Sequence, residues 1–332
     1  MRYSTLNLSV PQVEQVIIDQ PADQSIGLAD GTIRVRRQIF DQGQLRAVNW
    51  ITLDRDGRII RTESPMFGSM AITRQANQGE ALAKHPPFSL VRNAMVKAPF
   101  RVPMAAMNGH IRYRFAFRDG VSFDPLTTGE QRGRVTGSAL ILDICKTCGE
   151  QATPLSDEER TRFLAATKWM QADHPTFRII AKPIAQRSIT DTEKMKLLSD
   201  KVAKRLKRID FAGHVSALEA WQRGRWDCTE EAAILATLAR AAGIPARVAS
   251  GLVYSRAQYH GVSNVFMPHA WTLAYIDGRW QSFDVSIGQF DATHIAFATG
   301  DGDSRSMAAG SALAGLTQME DMVEVRSRAT AP

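Results

Sequence analysis

A cysteine heads the stretch of chain with the most chemical content. The run Cys228–Ala242 (CTEEAAILATLARAA) holds no Gly or Pro and is dense in strong helix formers, so it predicts a helix opening at Cys228. Gly243 is placed to end that helix and Pro245 to prevent its continuation. Alanines at 232, 233, 236, 239, 241 and 242 predict a buried helix with close backbone neighbours. The dipole and free N–H groups of a helix N-terminus favour a thiolate over a thiol. The same N–H groups can donate to an oxyanion growing on an attacked carbonyl. From position alone two readings stand: a nucleophile, or an inert core thiol, because free cysteine is among the most buried residue types.

A second pair of reactive residues lies downstream. Ala246–Tyr254 reads as a strand, Ser255–Pro268 as a loop, His269–Ile276 as a strand, Asp277-Gly278 as a two-residue turn and Arg279–Val285 as the returning strand. That turn sets Ile276 opposite Arg279, so Trp271 opposes Asp284 and His269 opposes Ser286. His269 and Asp284 are then diagonal neighbours on one face, about 7–8 Å apart at the backbone. A carboxylate there can fix the imidazole tautomer and leave the other ring nitrogen to take a proton from a thiol. A slip of one residue would move Asp284 to the opposite face. The competing reading of His269 is a structural histidine, which is the expectation for His85, His110, His174, His214, His260 and His294.

These groups must be positioned by a chain of 332 residues, a length that suggests about two domains of roughly 150 residues. Hydrophobic residues make up 44% and charged residues 23%, which excludes disorder or a fibrous fold as the main state. The net charge of +7 is mild, and nucleic acid is not an expected partner. The opening MRYSTLNLSVPQVEQ lacks a basic region followed by an apolar block, so no secretory signal is read. The apolar stretch Ala232–Tyr254 is broken by Arg240, Gly243, Pro245 and Arg247, and no membrane span is expected. A reducing, cytoplasmic location follows as the default.

Residues 1–150 read as a β-rich domain, a sandwich or an open sheet. Its strand candidates are Thr32–Phe40, Ala47–Leu53, Arg58–Arg61 after a turn at Asp56-Gly57, Ile111–Phe117 and Ser138–Ile144, with one helix near Ala76–Lys84. From residue 151 to 332 the period changes. Ser156 and Glu159 form a capping box for a helix carrying Phe163, Leu164, Thr167 and Met170, bounded by Pro175. Thr190 and Glu193 form another, before an apolar stripe of Met195, Leu198, Val202, Leu206 and Ile209. The basic residues of that helix read as a solvated face. A further helix from Ser304 and a strand over Met322–Arg326 close the pattern.

Cys145-Lys146-Thr147-Cys148 is half of a zinc site. A structural zinc needs four ligands and no second cysteine pair exists; His110 or His174 would complete it only through the fold. Two reduced thiols at a domain boundary are expected, with no metal and no cofactor. Asp301-Gly302-Asp303 lacks the spacing of a calcium loop.

The segments RGRWDCTEEAAILATLARAAGIPARVASGLVY and PHAWTLAYIDGRWQSFDVSIG, with the trailing Asp291-Ala292-Thr293-His294-Ile295, resemble the bacterial transglutaminase-like superfamily over about residues 155–300. The resemblance implies an α+β, papain-like core, with a cysteine helix packed on an antiparallel sheet, and a Cys228–His269–Asp284 triad. Two positions depart from many relatives: Glu231 stands where they carry His, and Trp226 where they carry Gly.

The chemistry implied is thiol-dependent acyl transfer through a Cys228 thioester, on a peptide or protein substrate or a small amide or amine. Protease or amidase activity is ranked above cross-linking. The oxyanion donors expected are the Cys228 backbone with Trp221 or Gln222, and the expected substrate-binding residues are Trp226, Tyr259, His260 and Trp271. The competing class is a non-catalytic binding or scaffold protein that keeps the fold.

Overall fold

The computed structural model describes residues 1–7, 12–20, 31–41, 43–66, 69–84, 92, 94–149, 154–205, 207–209, 213–258 and 261–326. His85, Leu206, Tyr259 and His260, all named above, lie outside the described residues.

The strands β1 (Arg2–Asn7), β2 (Gln12–Asp19), β3 (Ile33–Asp41), β4 (Gln44–Leu53), β5 (Ile59–Met66) and β6 (Ser69–Arg74) form an antiparallel meander in chain order. Of the two expected architectures, the open sheet is the one found here. The turn at Asp56-Gly57 joins β4 to β5. Gly57 takes a positive φ, and the Asp54 carboxylate accepts the N–H groups of Asp56 and Arg58 at 2.9 and 2.8 Å. Leu45, Val48 and Trp50 of β4 turn into the core.

After a one-turn helix α1 (Gln78–Ala81), the short strand β7 (Val96–Lys97) and a second one-turn helix α2 (Met104–Met107) come β8 (Ile111–Phe117), β9 (Gln131–Thr136) and β10 (Ala139–Ile144). The alternation in IRYRFAF buries Ile111, Tyr113 and Phe115. These three strands share a sheet with a strand from the far end of the chain, in the order β15-β8-β10-β9, where β15 is Thr317–Glu324.

The expected capping box at Ser156 and Glu159 starts α3 (Asp157–Leu164). Pro175 does not bound this helix. It takes the first position of a separate helix, α4 (Pro175–Ala185), capped by the His174 imidazole. Proline is suited to that position, because its φ is already helical and the N–H it lacks would have no partner. The box at Thr190 and Glu193 starts α5 (Asp191–Arg205), whose Met195, Leu198 and Val202 are buried while Lys196, Lys201 and Lys204 face outward. Next come α6 (Ala217–Arg223), ended by Gly224 in the left-handed region, and α7 (Cys228–Ala241).

The central sheet has the order β13-β12-β11-β14, from β11 (Ala246–Ser255), β12 (Val265–Ile276), β13 (Arg279–Phe283) and β14 (Ile295–Gly300), and β7 pairs with the outer end of β12. β12 starts four residues ahead of the expected strand, because Val265 and Phe266 pair both with β11 and with β7. The helix α7 lies on this sheet: the Thr272 hydroxyl donates to the Ala232 carbonyl at 2.9 Å, and the sheet's Ala270 and Ala274 share a core with Ala232, Leu235 and Ala239. At its C-terminal end the buried Arg240 guanidinium donates to the carbonyls of Ala246 and Ala165 and pairs with Asp301. The helix α8 (Ser304–Gly315) packs against β11 and β14 and against β4 and β5, linking the meander to the sheet. No helix among the described residues is long and apolar enough to cross a membrane.

Candidate active site

Cys228 occupies the first position of α7 and is half-buried. Asp227 is the N-cap: its carboxylate accepts the Thr229 N–H at 2.9 Å, and the Glu230 carboxylate returns a bond to the Asp227 N–H at 3.2 Å. This capping box holds the first turn rigid and fixes where the sulfur stands. Burial, then the hydrogen bond and charge of Asp227, push the Glu230 carboxyl up to about 8.

The β12–β13 hairpin has the expected register, with Ile276 opposite Arg279 and Thr272 opposite Phe283. One step beyond the last pair, His269 and Asp284 meet. His269 Nε2 donates to Asp284 Oδ2 at 2.6 Å, and both residues are buried, 7% and 5% exposed. Asp284 leaves the other ring nitrogen, Nδ1, untouched, and Cys228 lies near enough to this imidazole to favour its charged form. Burial disfavours the imidazolium, but the Asp284 charge and bond, with the added hold of Cys228, raise His269 well above its ordinary range. Burial likewise pushes the Asp284 carboxyl up. The charge and hydrogen bond of His269, joined by those of His294, outweigh that and hold it far below the usual carboxylate range.

Two contributors to this cluster were not expected from sequence. The first is His294. Its Nε2 donates to the same Asp284 oxygen at 3.1 Å, while Nδ1 faces the Asp291 carboxylate at 3.2 Å and the Asp291 carbonyl at 3.1 Å. Burial opposes its charge, but the bonds to Asp284 and Asp291 raise it to about 9. Asp284 thus accepts from two imidazoles, and a second acid stands behind the outer one. The only sequence signal was His294's place in the Asp291–Ile295 motif.

The second is Glu231, 3% exposed, whose Oε1 accepts from the Ser286 hydroxyl at 2.7 Å while its Oε2 has no hydrogen-bond partner among the described residues. Burial pushes this carboxyl up to about 7; Ser286 opposes the shift and the Asp284 charge adds to it. The signal for Glu231 was its departure from the residue type of relatives.

The remaining site expectations fare unevenly. Trp226 does not border the site: it is fully buried and stacks on Trp221 at 6.2 Å with the rings 9° apart. Trp271 is also buried, 2% exposed. Its ring packs against His269 at 6.2 Å and edge-on to His294 at 5.2 Å, and its Nε1 donates to Ser282 Oγ. It therefore braces both imidazoles and does not face a substrate. Trp221 is a core residue too, with the Arg205 guanidinium 4.4 Å from its ring and its carbonyl taken by the same side chain. Gln222 is exposed at the end of α6.

Cys145 and Cys148 are not two reduced thiols but a disulfide. The two-residue spacing brings their Cα atoms to 5.1 Å, inside the range a disulfide spans.

Residues 178–285, which carry Cys228, His269 and Asp284, match the family model described as the transglutaminase-like superfamily. Among solved structures, a candidate cysteine protease from Cytophaga hutchinsonii is similar at 17% identity, over 65% of this chain and 86% of that one, with a TM-score of 0.38. The periplasmic domain of TgpA from Pseudomonas aeruginosa is similar at 16% identity over 61% and 76%, with a TM-score of 0.37. A candidate protease from Parabacteroides distasonis is similar at 13% identity over 78% and 65%, with a TM-score of 0.28. No curated protein matches the chain.

Proposed function

We propose that this protein catalyses acyl transfer from an amide through a thioester on Cys228. The observation that carries the reading is a half-buried sulfur at a helix N-terminus, beside an imidazole whose Nε2 a buried carboxylate holds at 2.6 Å. In the first step the sulfur adds to the amide carbonyl and its proton goes to His269 Nδ1. The carbonyl oxygen gains negative charge beside the N–H groups of the first turn of α7. The C–N bond then breaks, His269 returns the proton to the leaving nitrogen, and the acyl group stays on sulfur. Asp284 keeps the ring aligned throughout and stabilises its cation.

In the second step water releases an acid, or an amine takes the acyl group. Hydrolysis is favoured, because water is always abundant and an amine must be bound to compete. Peptides with candidate amide bonds, offered to the intact protein, should yield a mass increment on Cys228 that decays to free acid, and a large excess of a primary amine should divert part of it to the amide. Turnover without any Cys228 adduct, or none with any peptide or side-chain amide, would remove the reading.

His294 is a positioning residue in this scheme, because it touches Asp284 and not the reacting atoms. Its positive charge offsets the carboxylate, so removing it should let His269 keep its proton to higher pH. In His294→Gln the pH profile of kcat/KM should move to higher pH by roughly 1 unit. A purely structural role would scale the whole profile down and leave its limbs in place.

Stability should follow the same groups. His294 binds its proton more tightly folded, so its contribution is complete below about 6.5, its unfolded value, and is lost as pH rises through about 9. The raised carboxyls of Glu231 and Glu130, each near 7, and of Glu230, near 8, act from lower pH: folding holds their protons, and stability falls as pH rises from about 4.5 to 8. Thermal midpoints should therefore decline steadily from pH 5 to 9, and His294→Gln should flatten the part between 6.5 and 9.

A further inference from the structure

The sheet β15-β8-β10-β9 ends in the motif Cys145-Lys146-Thr147-Cys148, and its register determines what faces that motif. Ile144 of β10 pairs with Ile111 of β8, so the next residues outward are Cys145 and His110. The loop then turns back, with the Cys148 N–H donating to the Cys145 carbonyl, and the Cys145 N–H is held by the Glu130 carbonyl at 3.1 Å. Gly149 follows, packed so closely on the Thr128 carbonyl that no side chain could stand there. The loop is thus fastened at both ends. One ring nitrogen of His110 and both sulfurs lie within 4.8 Å of one another, and all three residues are half-buried, within reach of a solute.

His110 is also oriented from behind. Its Nε2 bonds to Asp143 Oδ1 at 2.8 Å, and Arg112 and Arg134 hold the same carboxylate. A carboxylate behind an imidazole is the arrangement that aims histidines at metal ions and raises their basicity. With Nε2 engaged, Nδ1 is the nitrogen left to bind.

We propose that His110, Cys145 and Cys148 form a redox-gated site for a thiophilic divalent cation of the zinc type. The disulfide has no thiolate to offer, so that state is the closed one. A dithiol gives up two electrons and two protons and becomes its disulfide, or a phosphine gives two electrons while water supplies two protons and the oxygen of the phosphine oxide; either way the S–S bond breaks and two thiols form. The cation displaces both thiol protons, two metal–sulfur bonds and one metal–nitrogen bond form, and water fills the fourth position. Two thiolates neutralise the ion, so the loaded site adds no net charge beside Arg112 and Arg134. Two-electron oxidation of the sulfurs by a small-molecule disulfide, which is reduced to two thiols, re-forms the S–S bond and expels the metal. The site shares no residue with Cys228, and its test is independent of the acyl-transfer reading.

The experiment reduces the whole protein with a phosphine, removes the reductant without air and titrates Zn2+ against a chromophoric chelator. The reduced protein should take up one zinc per chain and the reoxidised protein none. Cys228→Ala should take up zinc with wild-type stoichiometry and affinity, and His110→Ala should bind it at least tenfold more weakly. Bound zinc should also shield Cys145 and Cys148, but not Cys228, from maleimide labelling read by mass spectrometry. This second measurement needs no variant and so holds even if a substitution unfolds the sheet. Uptake below half an equivalent by the reduced, folded protein would overturn the proposal. So would unshielded cysteines, or affinity that ignores His110.

Discussion

Cys228 should react with iodoacetamide near neutral pH faster than a free thiol such as glutathione, and His269→Ala should abolish the excess. With a substrate in hand, either Cys228→Ala or His269→Ala should lower kcat by about 10⁴-fold or more, as expected when one member of a nucleophile–base pair is removed. The pair acts as a unit, so the double variant should be no worse than either single one. The basis is geometric. His269 is buried, its Nε2 is committed to Asp284 at 2.6 Å, and Asp284 leaves its Nδ1 unused on the imidazole that Cys228 influences. Ordinary thiol reactivity in the wild type would leave a scaffold protein as the better reading of the same fold.

A large effect on both stability and the site is expected from a residue with no side chain, Gly251. It pairs with His269 on one side and with Ala296 on the other, where a β-bulge shifts the register of β11 against β14. A Cβ there would fall on the Ile295 carbonyl oxygen, nearer than any real Cβ comes, and its neighbours are backbone atoms that cannot rotate away. Gly251→Ala must therefore push β14 off β11. Ile295 follows His294 in the chain, so the same displacement would draw His294 from Asp284. We expect a loss of roughly 1–3 kcal/mol or more of unfolding free energy, read as a lower denaturant midpoint with an unchanged slope. Activity should fall with it. An unaltered midpoint would mean that the two strands part at no cost.

The parts of the site visible in the sequence are those set by neighbours in the chain. The composition of Cys228–Ala242 defined a helix to within one residue, and Asp277-Gly278 fixed a register that brought His269 to Asp284. His294 was hidden because it reaches Asp284 through the pairing of β14 with β11, which no local pattern specifies. Trp226 misled for a related reason: between Arg225 and Asp227 it reads as a surface residue, yet it packs on Trp221 one helix away. The same limit hid the contact between His110 and the Cys145 loop, since it depends on β8 and β10 lying side by side. Pro175 was read as a stop where it is a start, because a proline two turns after a helix fits either role.

The strand β15 brings Glu320 to Arg114, 206 positions earlier in the chain, and completes a sheet whose other strands are made long before it. During synthesis β8 must wait with one backbone edge unsatisfied and Tyr113 and Phe115 incompletely covered until Thr317–Glu324 emerges. Such distant closure implies slow consolidation, and a nascent chain that depends on being shielded from its own kind until β15 docks.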